Sequence, residues 1–243
     1  HAIGLDPNTG ELHEGFGEWY ERAVTKNRTI FHALDKFTTP GKPFDFPIGF
    51  DFIYQLSENC HFIPSVEDLY WQELEVFDRD AVKDFIRRLL GKITNSRAVP
   101  NYDYVLFDCP PSFTLLSYSV LACCDLVLIP VNPDYFAARG TSLILNSLRY
   151  RIEPHPIPKI GVFMNKTKTW REKPTKEAAF YWRTVKQASE EAAISGRVNV
   201  RFFDSWIKER VGIKRAITGG GVPPELIPGF RSLWGECVEF LDA

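Results

Sequence analysis

Tyr102-Asp103-Tyr104-Val105-Leu106-Phe107-Asp108-Cys109-Pro110-Pro111 is the stretch that decides the fold. Its centre, Tyr104–Phe107, is a short apolar run that stops at a carboxylate and two prolines. Runs of the same texture recur at Leu126–Val131, Ile160–Met164 and Val198–Phe203. Each is rich in β-branched or aromatic residues and bounded by polar or breaker residues. Between them lie helical patterns at 112–123, 137–151, 176–194 and 209–217, and a last amphipathic pattern covers 224–241. Strands that are apolar on both faces and alternate with helices predict an α/β fold. The expected architecture is a mostly parallel central sheet with helices on both faces, a three-layer sandwich.

Upstream the texture differs. Residues 7–50 are rich in Gly, Pro, Thr and charge, with a breaker at Pro40-Gly41-Lys42-Pro43 and one short helix expected near Thr29–Phe37. Residues 66–93 place Leu69, Leu74, Val82, Phe85, Ile86, Leu89 and Leu90 at helical spacing. Acids crowd the start of that segment and Arg87, Arg88 and Lys92 its end, which suits the helix dipole. With 243 residues and 44% hydrophobic content, the chain is read as one domain, 1–243.

Composition narrows the function classes. No apolar run approaches the roughly 18 residues of a membrane span, and no signal peptide is visible. The start, His1-Ala2-Ile3, lacks Met and reads as the interior of a domain. Five cysteines without regular spacing imply free thiols in a reducing compartment, hence a cytoplasmic location. Adjacent Cys123 and Cys124 read as small buried hydrophobes.

In parallel α/β sheets ligands gather at the carboxyl ends of the strands, which directs attention to Asp108, Asn132 and Asn165. A carboxylate at Asp108 is placed either to hold Mg²⁺ through water beside phosphates or to cap the next helix. Pro110 and Pro111 fix a stiff, donor-poor turn behind it. The Asn165 amide offers a donor and an acceptor to a base edge, or it serves a local turn or cap.

Asp108-Cys109-Pro110-Pro111, followed by a helix that opens with Ser112, resembles the Walker B and switch II segment of ParA/MinD-type deviant-Walker P-loop ATPases. The resemblance continues through Leu126–Val131 and Asn132-Pro133, the Tyr135–Gly140 segment, Ile160–Lys166 and Trp206–Val211. It implies a P-loop NTPase-like sandwich that binds ATP and Mg²⁺ between two subunits. By that resemblance Asp108 organises Mg²⁺ and is catalytic. Asn165 reads adenine, the backbone at Ile207 and Lys208 closes over the base, and Pro110 belongs to the nucleotide-binding set. Ile3–Asn8 resembles the motif Asp-x-Asp-Pro-Gln, in which Asp6 would position the attacking water. Gly4 stands where that motif has its first Asp, and Asp6-Pro7-Asn8 is equally a plain turn. No G-x-x-x-x-G-K-[ST] pattern occurs in the chain. Gly91-Lys92-Ile93-Thr94 ends a helix instead of opening one, and Gly219-Gly220-Gly221 precedes Val222-Pro223 without a placed lysine. The alignment implies a chain that begins just past the P-loop.

Charge is uneven. Residues 159–215 hold fourteen Lys or Arg against six acids, a surplus of +8, and the total of -2 leaves the remainder at -10. This is either a face for DNA phosphates or a set of solvated helix surfaces. The resemblance implies non-specific DNA binding by an ATP-bound homodimer and an activating, ParB-like partner protein. The C-terminal amphipathic pattern carries Glu236, Glu239 and Asp242, where a membrane-seeking helix would carry lysines. It is expected to dock on the core, with no membrane partner. The expected function is a partition or cargo-positioning ATPase. The alternatives are a nucleotide-free scaffold, motivated by the absent Gly-rich loop and Gly4, and a metabolic relative such as a carboxylate ligase or an iron protein. For the last of these, Cys109 lacks an evident second cysteine.

Overall fold

The computed structural model describes residues 21, 23–39, 52–66, 69, 79–97, 99–110, 112–209 and 224–243. Contacts group the chain into two compact units that meet in sequence at Cys123 and Cys124.

The first unit contains α1 (Ile30–Thr38), a hairpin of β1 (Tyr54–Ser57) and β2 (Cys60–Phe62), α2 (Arg79–Thr94) and α3 (Leu115–Leu121). α2 buries Val82, Phe85, Ile86, Leu89 and Ile93, which is the i, i+3, i+4, i+7 stripe of an amphipathic helix. Its polar side carries a carboxylate fork. Partial burial pushes Asp84 up, but hydrogen bonds from Arg88 and Arg87 outweigh it and leave the carboxyl below its ordinary value. α3 opens on Thr114, whose hydroxyl accepts from the Ser117 amide at 3.1 Å. It docks on α2 through the buried Ser119 hydroxyl, which accepts from the Ile86 amide at 3.0 Å. Gly91–Thr94 forms the last turn of α2, as expected.

In α1, His32 sets its Nδ1 2.8 Å from the hydroxyl of buried Thr29. Burial lowers its pKa; Asp35 raises it and Lys36 lowers it, with a net shift below the ordinary value. The unfolded chain therefore binds this proton more readily. Stability is lost as pH falls through the ordinary value, about 6.5, toward the lower folded one. The urea midpoint should drop over that window in the native chain, and His32→Asn should flatten the drop. An unchanged slope would remove His32 as its source.

One expectation is corrected here. Tyr104–Phe107 forms no strand among the described residues. Tyr104, Val105 and Leu106 are 50%, 48% and 80% exposed. Strand identity belongs to a ladder, because backbone N–H and C=O groups need a neighbour to pair with. An apolar run supplies the side chains of a buried strand but not its neighbour.

The second unit is the parallel sheet and its helices. β3 (Leu126–Val131), β4 (Lys159–Thr167) and β7 (Val200–Lys208) pair in the order β3-β4-β7, all parallel. α4 (Ala137–Ile152) connects β3 to β4, and α5 (Lys176–Gly196) precedes β7. A two-residue-strand hairpin, β5 (Thr169–Trp170) with β6 (Lys173–Pro174), sits between β4 and α5. The 3₁₀ turn Pro224–Leu226 leads into α6 (Ile227–Asp242). β4 is central and buried on both faces from Ile160 to Met164, which explains its unbroken apolar sequence. Pro130 lies in β3, an outer strand of this sheet, where a missing N–H is tolerated. The expected strands at 126–131 and 160–164 and helices at 137–151, 176–194 and 224–241 form, the last behind a 3₁₀ turn, and the strand expected at 198–203 runs instead from Val200 to Lys208. The expected helix at 209–217 lies outside the described residues.

α4 and α5 pack closely because α5 presents Ala178, Ser189, Ala192 and Gly196 on its buried face. A Cβ on Gly196 would come 2.6 Å from the Leu145 carbonyl oxygen. The Ser195 hydroxyl donates to Asn146 Oδ1 at 2.6 Å and Ser142 donates to the Ala188 carbonyl at 3.0 Å. α6 lays Leu233, Cys237 and Phe240 against Phe163, Phe203 and Ile207. Its acids hold it to the sheet. Glu236 accepts from the Asp204 and Ser205 amides at 2.9 and 2.7 Å, where the β4–β7 register shifts. Glu239 accepts from Arg201 at 3.0 Å. Lys159 donates to the Phe240 and Leu241 carbonyls at 2.9 and 3.0 Å, satisfying the helix end. The C-terminal helix is thus a docked element, and no described helix is long and apolar enough to cross a membrane.

Candidate functional site

The carboxyl edge of the parallel sheet brings two sequence-designated groups together. β4 extends to Thr167, so half-buried Asn165 sits within its last turn of ladder. β7 runs beside it, with Met164 opposite Trp206 and Thr167 opposite Lys208. Asn165 therefore neighbours the Ile207–Lys208 backbone across a parallel pair, and the Glu209 amide donates to the Thr167 carbonyl at 3.0 Å. α5 is capped by Thr175, which accepts from the Ala178 amide at 3.2 Å, so Asn165 is not a helix cap. The next residue, Lys166, has φ of 47°. This left-handed residue falls where the β4–β7 register shifts between Met164 and Thr167, and pairing resumes at Thr167 opposite Lys208.

Ile207 and Lys208 divide their roles. The Ile207 side chain is buried in the α6-facing core, which leaves only its backbone for a ligand. The Lys208 ammonium pairs with Glu172 and lies 5.9 Å from the Trp206 ring centroid. Beside them the fully buried Thr167 hydroxyl has no hydrogen-bond partner among the described residues. An unmet buried hydroxyl costs about 1–3 kcal/mol. Sequence reasoning passed over this residue, because a threonine inside an apolar strand looks like ordinary β-branched filling.

At the end of β3, Asn132 is exposed and its carbonyl accepts from the Asp134 amide at 2.8 Å. Asp134 Oδ1 accepts from the Phe136 and Ala137 amides at 2.9 and 3.0 Å, opening α4.

In the first unit, Asp108 is an exposed carboxylate that directly follows the Tyr104–Phe107 run. The cap of α3 is Thr114, so Asp108 does not cap that helix. Pro110 follows, and its carbonyl accepts from the Ser112 amide at 2.8 Å. Burial, then the Asp108 charge, pushes the Cys109 thiol up, which makes it a poor metal ligand near neutral pH. Among the described residues no group of three or more His, Cys, Asp or Glu could hold a metal. One accessible carboxylate does suit Mg²⁺ held through water, because that ion keeps several of its own waters. Asp6 lies outside the described residues. The five cysteines form no disulfide.

Comparison with known proteins is consistent with this arrangement. The AAA domain family matches residues 47–155, which include Asp108, Pro110 and β3. The sporulation initiation inhibitor protein Soj of Bacillus subtilis is 36% identical over 92 residues, 38% of this chain and 34% of its own length. The chromosome partitioning protein ParA of Myxococcus xanthus is 33% identical over 90 residues, 35% of this chain and 29% of its own. An uncharacterised Pseudomonas putida protein is 30% identical over 141 residues, 56% of this chain and 51% of its own. The matches to these relatives thus span between about a third and a half of their length. Apo McdA of Cyanothece superposes with a TM-score of 0.59 at 18% identity, covering 86% of this chain and 77% of that one. A variant of Cyanothece McdA in complex with ATP superposes at 0.61 and 17% identity, covering 82% and 68%. At such identity the structures speak for the fold, which is the P-loop NTPase-like α/β sandwich. Over part of its length the chain is thus similar to ParA/MinD-type P-loop ATPases.

Proposed function

We propose that the protein carrying this chain is a ParA-like ATPase that positions or segregates DNA or another large cargo. In this reading it binds ATP and Mg²⁺ at the interface of a homodimer and holds DNA without sequence preference in the ATP state. The observation that carries the reading is the apposition of Asn165 with the Ile207–Lys208 backbone at the carboxyl edge of the sheet. That is where a parallel α/β sheet binds its ligand, in a chain whose relatives include named partitioning proteins. Asn165 offers the adenine edge a donor and an acceptor, and Ile207 and Lys208 offer main-chain groups beside it. Asp108 holds Mg²⁺ through water, Pro110 stiffens the turn behind it, and Asp6 orients the attacking water. ATP hydrolysis supplies the free energy that resets the dimer. The phosphate end of the nucleotide is not built here, because no Gly-rich cradle occurs among the 243 residues. Residues 1–243 act as one nucleotide-binding domain in the cytoplasm, with a ParB-like protein stimulating hydrolysis and no membrane partner.

The same missing cradle favours a second reading, a nucleotide-free member that serves as a scaffold. Titrating the complete protein with a fluorescent ATP analogue, with and without Mg²⁺, separates the two. Micromolar, Mg²⁺-dependent binding is expected. Asn165→Ala should weaken it about tenfold or more, since two hydrogen bonds are worth about 1–3 kcal/mol together. It should also narrow the preference for ATP over GTP. No binding by the complete protein would leave the scaffold reading standing alone.

A further inference from the structure

Residues 159–215 carry the positive surplus of the chain, and the structure sorts those charges. Lys159 is spent on the end of α6, Arg201 on Glu239 and Lys208 on Glu172. Eight others among the described residues are exposed and in no ion pair; Arg183, Lys186 and Arg197 lie along or just past α5, and the five that remain are Lys166, Lys168, Arg171, Lys173 and Lys176. They fall on the β5–β6 hairpin and the residues that flank it. The one acid within that span, Glu172, is already held by Lys208.

The hairpin also displays Trp170, 72% exposed, directly across the ladder from Lys173. An indole has about 150–250 Å² to bury, and a small two-stranded projection leaves it in water. The tip is built without glycine. Arg171 and Glu172 take φ of 47° and 61°, the left-handed pair that tight hairpins usually assign to Asn-Gly. Arginine and glutamate in those places keep side chains on the tip at a conformational cost, a pattern found at functional sites. The Glu172–Lys208 pair ties the tip back to β7, so the projection is held in one pose before any partner arrives.

We infer that the β5–β6 hairpin is the element that grips duplex DNA, with Lys168, Arg171 and Lys173 on the phosphates and Trp170 seated against sugars and base edges in the groove. This rests on the DNA-holding reading above and assigns it to a place. A two-stranded ribbon fits the major groove, about 12 Å wide. Lysines and an arginine around one apolar wedge match two phosphate rails with a less polar floor between them. A single-strand platform instead stacks successive bases on several aromatics, and this hairpin has one.

The test is fluorescence polarisation of a labelled random-sequence duplex with the complete protein and ATP–Mg²⁺, across a range of salt. Trp170→Ala should weaken binding about tenfold with the salt slope unchanged, and Trp170→Phe should restore most of it. The double variant Lys168→Ala, Lys173→Ala should flatten the slope of log K against log salt by about two, since each phosphate contact contributes about 0.9. Lys186→Ala on α5 should leave the slope as in the unsubstituted protein. Melting temperatures should be unchanged, because the hairpin projects from the core. Duplex binding unaltered in all the hairpin variants overturns the inference and leaves the DNA reading intact. An unsubstituted protein that binds no duplex removes both. Equal, Trp170-dependent binding to polyglutamate overturns DNA as the occupant in favour of an acidic protein. Tighter Trp170-dependent binding to a single strand than to duplex overturns the groove geometry.

Discussion

Phe203→Ala should cost about 3–5 kcal/mol, the range for emptying a buried aromatic site, and that is much of the 5–15 kcal/mol that holds a domain together. Phe203 is 1% exposed and stands in the cluster that joins α6 to the sheet. Its ring meets Phe240 edge-on at 6.1 Å between centroids. On its other side the ring lies over Gly161, where a Cβ would sit 2.6 Å from two ring carbons and 3.0 Å from Leu128. Gly161 is glycine because Phe203 needs the space. Gly161→Ala alone should therefore cost about 1–3 kcal/mol by overpacking. In the Phe203→Ala background the added methyl enters the vacated volume, and its cost should vanish or reverse. Chemical denaturation of the four proteins of this cycle measures the coupling. Additive effects would mean that the two residues do not share one space.

Asp108→Asn has the second large expected effect, and it falls on activity. The side chain is exposed and caps no helix, so stability should change by no more than about 0.5 kcal/mol. Hydrolysis by the complete protein should fall about 10²–10³-fold, the usual loss when a group that stabilises developing charge is removed. The Mg²⁺ dependence of nucleotide binding should weaken with it, while binding of the metal-free nucleotide stays the same. Hydrolysis at the unsubstituted rate would remove Asp108 from the site. The same substitution in the scaffold reading changes nothing, so the comparison also bears on that choice.

Much of the second unit is legible from local pattern. β4 is apolar on both faces because it is central, and α4, α5 and α6 show the helical period because each buries one face. What escaped depends on partners far along the chain. β7 reaches Lys208 through a register shift held by Glu236, about thirty residues away in sequence, and no local signal reports it. The β5–β6 hairpin hides because its tip breaks the usual turn chemistry, placing Arg171 and Glu172 where Asn-Gly would announce a turn. The β1–β2 hairpin hides in three- and four-residue strands. Tyr104–Phe107 misleads in the opposite direction, since its composition is that of a strand and its ladder is absent among the described residues. At the candidate site, the motif around Asn165 locates the strand end, but nothing in sequence shows that Ile207 is committed to the core or that Thr167 buries an unmet hydroxyl.

The exposed Tyr104–Leu106 run has a consequence for anyone handling the purified chain. An exposed run of β-prone apolar side chains is a template for the same segment in another molecule. The sequence brackets the run with Asp103 and Asp108 and follows it with Pro110 and Pro111. Flanking charges and prolines of this kind act as gatekeepers against self-association. Asp108 would then guard solubility as well as serve Mg²⁺. Asp108→Asn should raise light scattering at high protein concentration, and its kinetics should be normalised to the protein that stays in solution.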